Sequence, residues 1–83
     1  MPYNKVTKLR SRLIIGTKQT LKAMKNGEVS EVFVADDADK HITEPVVDLA
    51  EELDIPCRHV NSMKKLGKAS GVEVGASTVA VRK

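Results

Sequence analysis

Aromatic side chains are nearly missing from this chain, which has one Tyr, one Phe and no Trp among 83 residues. That argues against a sheet that grips unpaired bases by stacking them on Phe or Tyr. Cys57 is the single cysteine, so no internal disulfide can form, and a reducing cytoplasm is the expected setting. No stretch approaches the roughly 18 consecutive apolar residues of a membrane span. The opening MPYNKVTKLRSR has no hydrophobic signal-peptide core, and secretion is not expected. Low-complexity tracts, long linkers and internal repeats are absent too.

What remains is a short chain with ordered apolar blocks. Apolar residues make up 41% of it, mostly Val, Leu, Ile and Ala. This suits one small domain spanning residues 1–83, with little area for a deep substrate cleft. The net charge of +3 conceals a strong segregation. Met1 to Lys25 holds seven Lys or Arg and no acid; Asn26 to Cys57 holds ten acids against Lys40 alone; Arg58 to Lys83 holds six bases against Glu73. Two basic segments around an acidic one predict a bipolar molecule whose positive face attracts a polyanion. Ordinary surface charge that happens to be segregated along the chain is the plainer alternative.

The apolar periodicity alternates between helix and strand. Val6 and Leu9 lie among basic residues in a short amphipathic helical pattern. Leu13 to Ile15 reads as a strand ended by Gly16, after which Thr17 is expected to cap a helix that stops near Asn26 and Gly27. In that helix Leu21 and Met24 share an apolar stripe, while Lys18, Lys22 and Lys25 form a separate basic one. Glu31 to Ala35 is the clearest internal strand, and Asp36 to Ile42 reads as a polar turn. Thr43 is the expected cap of the next helix, with Glu44 and Pro45 in its first turn and Val46, Leu49, Ala50 and Leu53 at helical spacing. A short strand in IPCRHV follows, then a small helix capped by Ser62, a break at Gly71, and strand character from about Glu73 to Val81. The last strand offers small and branched residues to both sides, as an interior strand does. This series predicts a three-layer α/β/α sandwich with a small central mixed sheet.

Nothing in the chain assembles into a catalytic set. Asp36, Asp37 and Asp39 lack the alternating ligand pattern and the glycine of a calcium loop. Cys57 and His59, two apart in a strand, supply half of a zinc site without a second pair; a packed cysteine and a surface histidine are the simpler reading. GTKQT satisfies neither GxxxxGK[ST] nor GxGxxG. It nevertheless places Lys18, Gln19 and Lys22 beside a helix start, where amides and lysines suit phosphate and the Gln19 amide can read base edges. KKLGKASGVEVGAS is the second candidate: Gly67, Gly71 and Gly75 surround Val72, Glu73 and Val74. Either those valines enter the core, or a glycine-bounded loop holds an aliphatic tip where an unstacked base rests. Spacing alone leaves both open.

GTKQTLK and LGKASGVEVGAS, about 50 residues apart, together with VFVADDAD and LAEELDIP, resemble the ribosomal protein seven-Ae and thirty-e family, especially its small bacterial members. The likeness runs from about Lys5 to Val81. It implies an α/β/α fold, no cofactor, no catalysis, and binding to kink-turn or similar internal-loop RNA in a ribonucleoprotein, the ribosome included. It further implies that Gly16, Thr17, Lys18, Gln19 and Lys22 meet the bend and its sheared G·A pairs, and that Val72, Glu73 and Val74 cover the bulged nucleotide. Lys18-Gln19 stands where the seven-Ae branch usually has Asn-Glu, and is closer to the thirty-e pattern. A monomer is the simplest expectation. The competing reading is a protein-interaction adaptor that uses the acidic segment and has only nonspecific affinity for RNA.

Overall fold

The computed structural model describes residues 6–72 and 75–83. Four strands, β1 (Leu13–Ile15), β2 (Val29–Ala35), β3 (Cys57–Val60) and β4 (Thr78–Arg82), form one sheet in the order β1-β4-β2-β3. β4 runs antiparallel to both β1 and β2, and β2 runs parallel to β3, so the sheet is mixed. Three helices flank it: α1 (Thr17–Lys25), α2 (Lys40–Glu52) and α3 (Met63–Ser70). A helical turn at Val6 to Lys8 and a 3-10 turn at Arg10–Arg12 lead into β1.

The sheet is covered on both sides, as the branched residues of β2 and β4 require. On one face Ala23 and Met24 of α1 and Val46 and Ala50 of α2 pack on Ile14, Val32, Val34 and Ala80. On the other, Val6 and Leu66 of α3 pack on Phe33, Val60, Val79 and Val81. Phe33, Met24 and Leu66 are the largest fully buried side chains, each worth about 1.5–3 kcal/mol in apolar burial. Successive residues of β4, Val79 and Ala80, enter opposite cores, and β4 lies in the sheet interior because it pairs with β1 on one side and β2 on the other.

β2 begins at Val29, two residues before the expected Glu31, and three further boundaries differ from the sequence expectation for a local reason. Gly16, not Thr17, is the N-cap of α1; its φ of 108° and ψ of 146° are open to glycine, and Thr17 is already helical. α2 begins a turn earlier than Thr43, because the Asp39 carboxylate accepts from the His41 amide at 2.9 Å and caps the helix. Thr43 is instead buried with Val46 and Ala50 on the packed stripe. β4 starts at Thr78, since the preceding segment turns away to α3: the Ala76 amide donates to the Met63 carbonyl at 3.0 Å, and the Ser77 carbonyl accepts from the Ala35 amide at the end of β2 at 2.9 Å.

Among the described residues, one charge enters the core. Glu31 is buried on the α3 face of the sheet and accepts from Arg58 Nε at 2.9 Å. The arginine remains half exposed, so the pair connects a buried carboxylate on β2 to solvent at β3.

Candidate nucleic-acid interface

The two separated segments meet at the start of β4. The Gly16 amide donates to the Thr78 carbonyl at 3.1 Å, and the Thr17 hydroxyl lies 3.3 Å from that of Thr78. Thr78 is also the residue into which the 71–77 segment delivers the chain. The beginning of α1 and the end of the glycine-bounded loop are therefore bonded to one residue.

Gly16 shapes the helix side of this junction. Lacking a side chain, it gives no acceptor to the first-turn amides, whose partial positive charge faces outward at the helix start. Lys18, Gln19, Lys22 and Lys25 are all exposed. Gln19 and Lys22 border a shallow pocket of about 160 Å³, with Ile14, Asn26, Glu28 and Arg82 around it. Arg82 adds a cation from the end of β4, and Asn26 a second amide. Sequence spacing points to neither residue, and Arg82 comes beside α1 through the pairings of β4 with β1 and, at Val29, with β2.

The loop side is held at both ends. Gly71 takes a left-handed conformation (φ 89°) after α3, and the Val72 amide returns to the Gly67 carbonyl at 3.0 Å, closing the helix in a Schellman pattern. At the other end, a side chain on Gly75 would stand 3.3 Å from Met63, so the chain passes tightly against α3. The Met63 amide donates to Asp37 Oδ1 at 2.7 Å, which connects this end to the β2–α2 turn. Val72 is half-buried; Glu73 and Val74 lie outside the described residues.

Charge is arranged across the strand order on the face that carries α1 and α2. The basic stripe of α1 sits over β1 and β4, and the acidic α2, with Glu44, Asp48, Glu51 and Glu52 exposed, sits over β2 and β3. The bipolarity thus lies side by side within one layer. Cys57 packs under α2, and His59 Nδ1 pairs with Asp36 Oδ1 at 2.9 Å on the surface. Among the described residues no group of three or more His, Cys, Asp or Glu is placed to hold a metal, and no helix is long and apolar enough to cross a membrane.

The pattern of the Ribosomal protein L7Ae/L30e/S12e/Gadd45 family matches residues 3–83. The chain belongs to this family. It is similar to the RNA-binding protein YbxF of Geobacillus stearothermophilus, 51% identical over 98% of both chains. It is also similar to an RNA-binding protein of Bacillus pumilus, 53% identical over 98% of both. Among solved structures, the Giardia lamblia 15.5kD RNA binding protein superposes with a TM-score of 0.93 at 26% identity, covering 99% of this chain and 71% of that one. Family membership thus agrees with the α/β/α architecture seen here.

Proposed function

We propose that this protein binds structured RNA, and that its target is a kink-turn or closely related internal loop whose bent form it stabilises. The observation that carries the reading is the junction at Thr78, which holds the basic start of α1 and the glycine-bounded loop on one rigid strand end. Two surfaces fixed relative to each other suit an RNA whose own shape is sharply bent, and suit it better than a uniform duplex. The names of its relatives as RNA-binding proteins point the same way.

The roles divide by chemistry. Lys18 and Lys22 fasten phosphates, an attraction that weakens as salt rises. Gln19 both donates and accepts, and so reads base edges at sheared G·A pairs. Val72 and Val74 shield an extruded base from water, while Glu73 sets the direction of the loop or accepts a hydrogen bond. No bond is made or broken; the geometry of the RNA is what changes. The RNA is ribosomal or regulatory, and the complex is cytoplasmic.

A titration at two salt concentrations tests this. A kink-turn RNA is compared with the same RNA after replacement of its sheared G·A pairs. Tighter binding to the intact kink-turn at both salts is expected. Equal affinity for the two RNAs at every salt would reduce the protein to a nonspecific polycation and direct attention to the acidic α2 as an adaptor surface.

A further inference from the structure

A second basic site lies on the opposite side of the sheet, under the N-terminal turn. Thr7, Arg10, Lys65, Lys68 and Ala69 line an open cleft of about 360 Å³. Its floor is the methyl of Ala69 and the aliphatic stems of long side chains, and among the described residues its rim carries three cations and no acid. Arg10 is held in place: its Nε and Nη2 both donate to the Ala69 carbonyl at 3.3 Å. The Thr7 hydroxyl reaches the same oxygen at 3.5 Å. That carbonyl belongs to the last turn of α3, where a cation is favoured and an acceptor is otherwise unsatisfied.

The cleft adjoins the loop of the first site. A side chain on Gly71 would stand 3.2 Å from Arg10 Cδ, so the arginine lies flat on the residue that opens the 71–77 segment. The far end of that segment meets α1 at Thr78. The loop consequently has Gly16 to Lys22 at one end and Arg10, Lys65 and Lys68 at the other. The molecule is only 28 Å in its longest dimension, so an A-form duplex arm of about one helical turn leaving a bend at the loop crosses it.

We infer that this cleft is a backbone-binding site for an RNA duplex arm: Arg10, Lys65 and Lys68 contact phosphates of the stem that leaves the bend on the α3 side. The inference rests on the kink-turn reading for the location of the bend. A protein partner fits the cleft poorly, since the exposed large hydrophobics among the described residues are Ile15, Ile42 and Leu53, none of which borders it. Lysine and arginine around an aliphatic floor hold phosphate without reading sequence.

The test uses two kink-turn RNAs identical at the bend, one with arms of a full helical turn and one with arms trimmed to a few base pairs. The protein carries Lys65→Gln and Lys68→Gln, which remove charge and keep the stems; both sites are exposed, and a thermal melt checks that the fold is retained. Affinity for the long-armed RNA should fall about tenfold, and its log–log salt slope should shrink by about 2, near 0.9 per phosphate. Binding to the trimmed RNA should stay within twofold of the unsubstituted protein. Arg10→Gln should act in the same direction on the long-armed RNA. Unchanged affinity for the long arm, or an equal loss on both RNAs, overturns the inference. G·A replacement is scored separately with the unsubstituted protein: failure to discriminate there strikes the kink-turn reading, while the arm-length comparison still decides the cleft on either RNA.

Discussion

The hydroxyls of Thr17 and Thr78 lie 3.3 Å apart, joining the first residue of α1 to the first residue of β4. One turn further along α1, the Thr20 hydroxyl is buried without a hydrogen-bond partner among the described residues. The same substitution should therefore act with opposite sign at two threonines. Thr78→Val removes one partner of a bond and should cost about 0.5–1.5 kcal/mol, with Thr17 left half-buried and within reach of water. Thr20→Val removes a buried hydroxyl that forms no bond and keeps the volume, and should stabilise by about 1 kcal/mol. Urea unfolding of the two variants measures both. A loss in Thr20→Val as large as that in Thr78→Val would show that the Thr20 hydroxyl has a partner after all.

Gly16 should be harder to replace than Gly27. A β-carbon there meets nothing within 4 Å, so the obstacle is the backbone alone, at φ 108°. Gly16→Ala should cost about 1–3 kcal/mol and weaken RNA binding further by rotating the first turn of α1. Gly27 is also in open space, but its φ of 73° lies near the left-handed region that Asn tolerates. Gly27→Asn should consequently cost less than Gly16→Asn. Equal losses in thermal melts would mean that the Gly16 backbone relaxes into an ordinary conformation.

The readable parts of the fold were those decided by short-range chemistry. Leu13 to Ile15, the Gly27 stop, the Ser62 cap and the interior character of the last strand all follow from propensity and burial, and all are present. Asp39 and Thr43 are both good caps for α2, and only packing assigns Thr43 to the buried stripe. Of the candidate site, the exposed Lys18, Gln19 and Lys22 were legible as a polar helix face beside a glycine. Arg82, Thr78 and Arg10 were not, since each reaches its place through a strand pairing or a contact some sixty residues away in sequence. Glu31 looked like the first residue of a strand, and its burial follows from the ion pair with Arg58 across the β2–β3 pairing.

Lys22 and Gln19 should separate affinity from recognition. Both are exposed neighbours at one pocket, so alanine at either position should change stability by no more than about 0.5 kcal/mol. Lys22→Ala should weaken binding to intact and G·A-replaced kink-turns by a similar factor and reduce the salt slope by about 0.9. Gln19→Ala should leave the slope unchanged and remove about 1–3 kcal/mol of preference for the intact RNA. Paired titrations over a salt series give both quantities. A Gln19→Ala protein that keeps its full preference would take base reading away from this residue and assign it to the loop or to RNA shape.

Cys57 offers a probe of the β3 edge under α2 that is independent of RNA. Its thiol packs beside the Val32, Val46 and Ala50 core, and burial raises its pKa above the ordinary 9.0 by disfavouring the thiolate. Unfolding releases the thiol to its ordinary value, so the folded state binds this proton more tightly. The resulting stability is constant at neutral pH, where both states are protonated, and is lost as pH rises through the ordinary thiol value toward the raised one. Cys57→Ala removes this titration. The stability difference between the parent and Cys57→Ala, measured by urea unfolding with a reductant present, should be flat near neutrality and shift against the parent in alkali. Alkylation of the folded parent should likewise reach half-maximal rate at a higher pH than alkylation of the unfolded chain. Coincident pH–rate curves for the folded and unfolded forms would show that the thiol is solvated as freely as in an open strand.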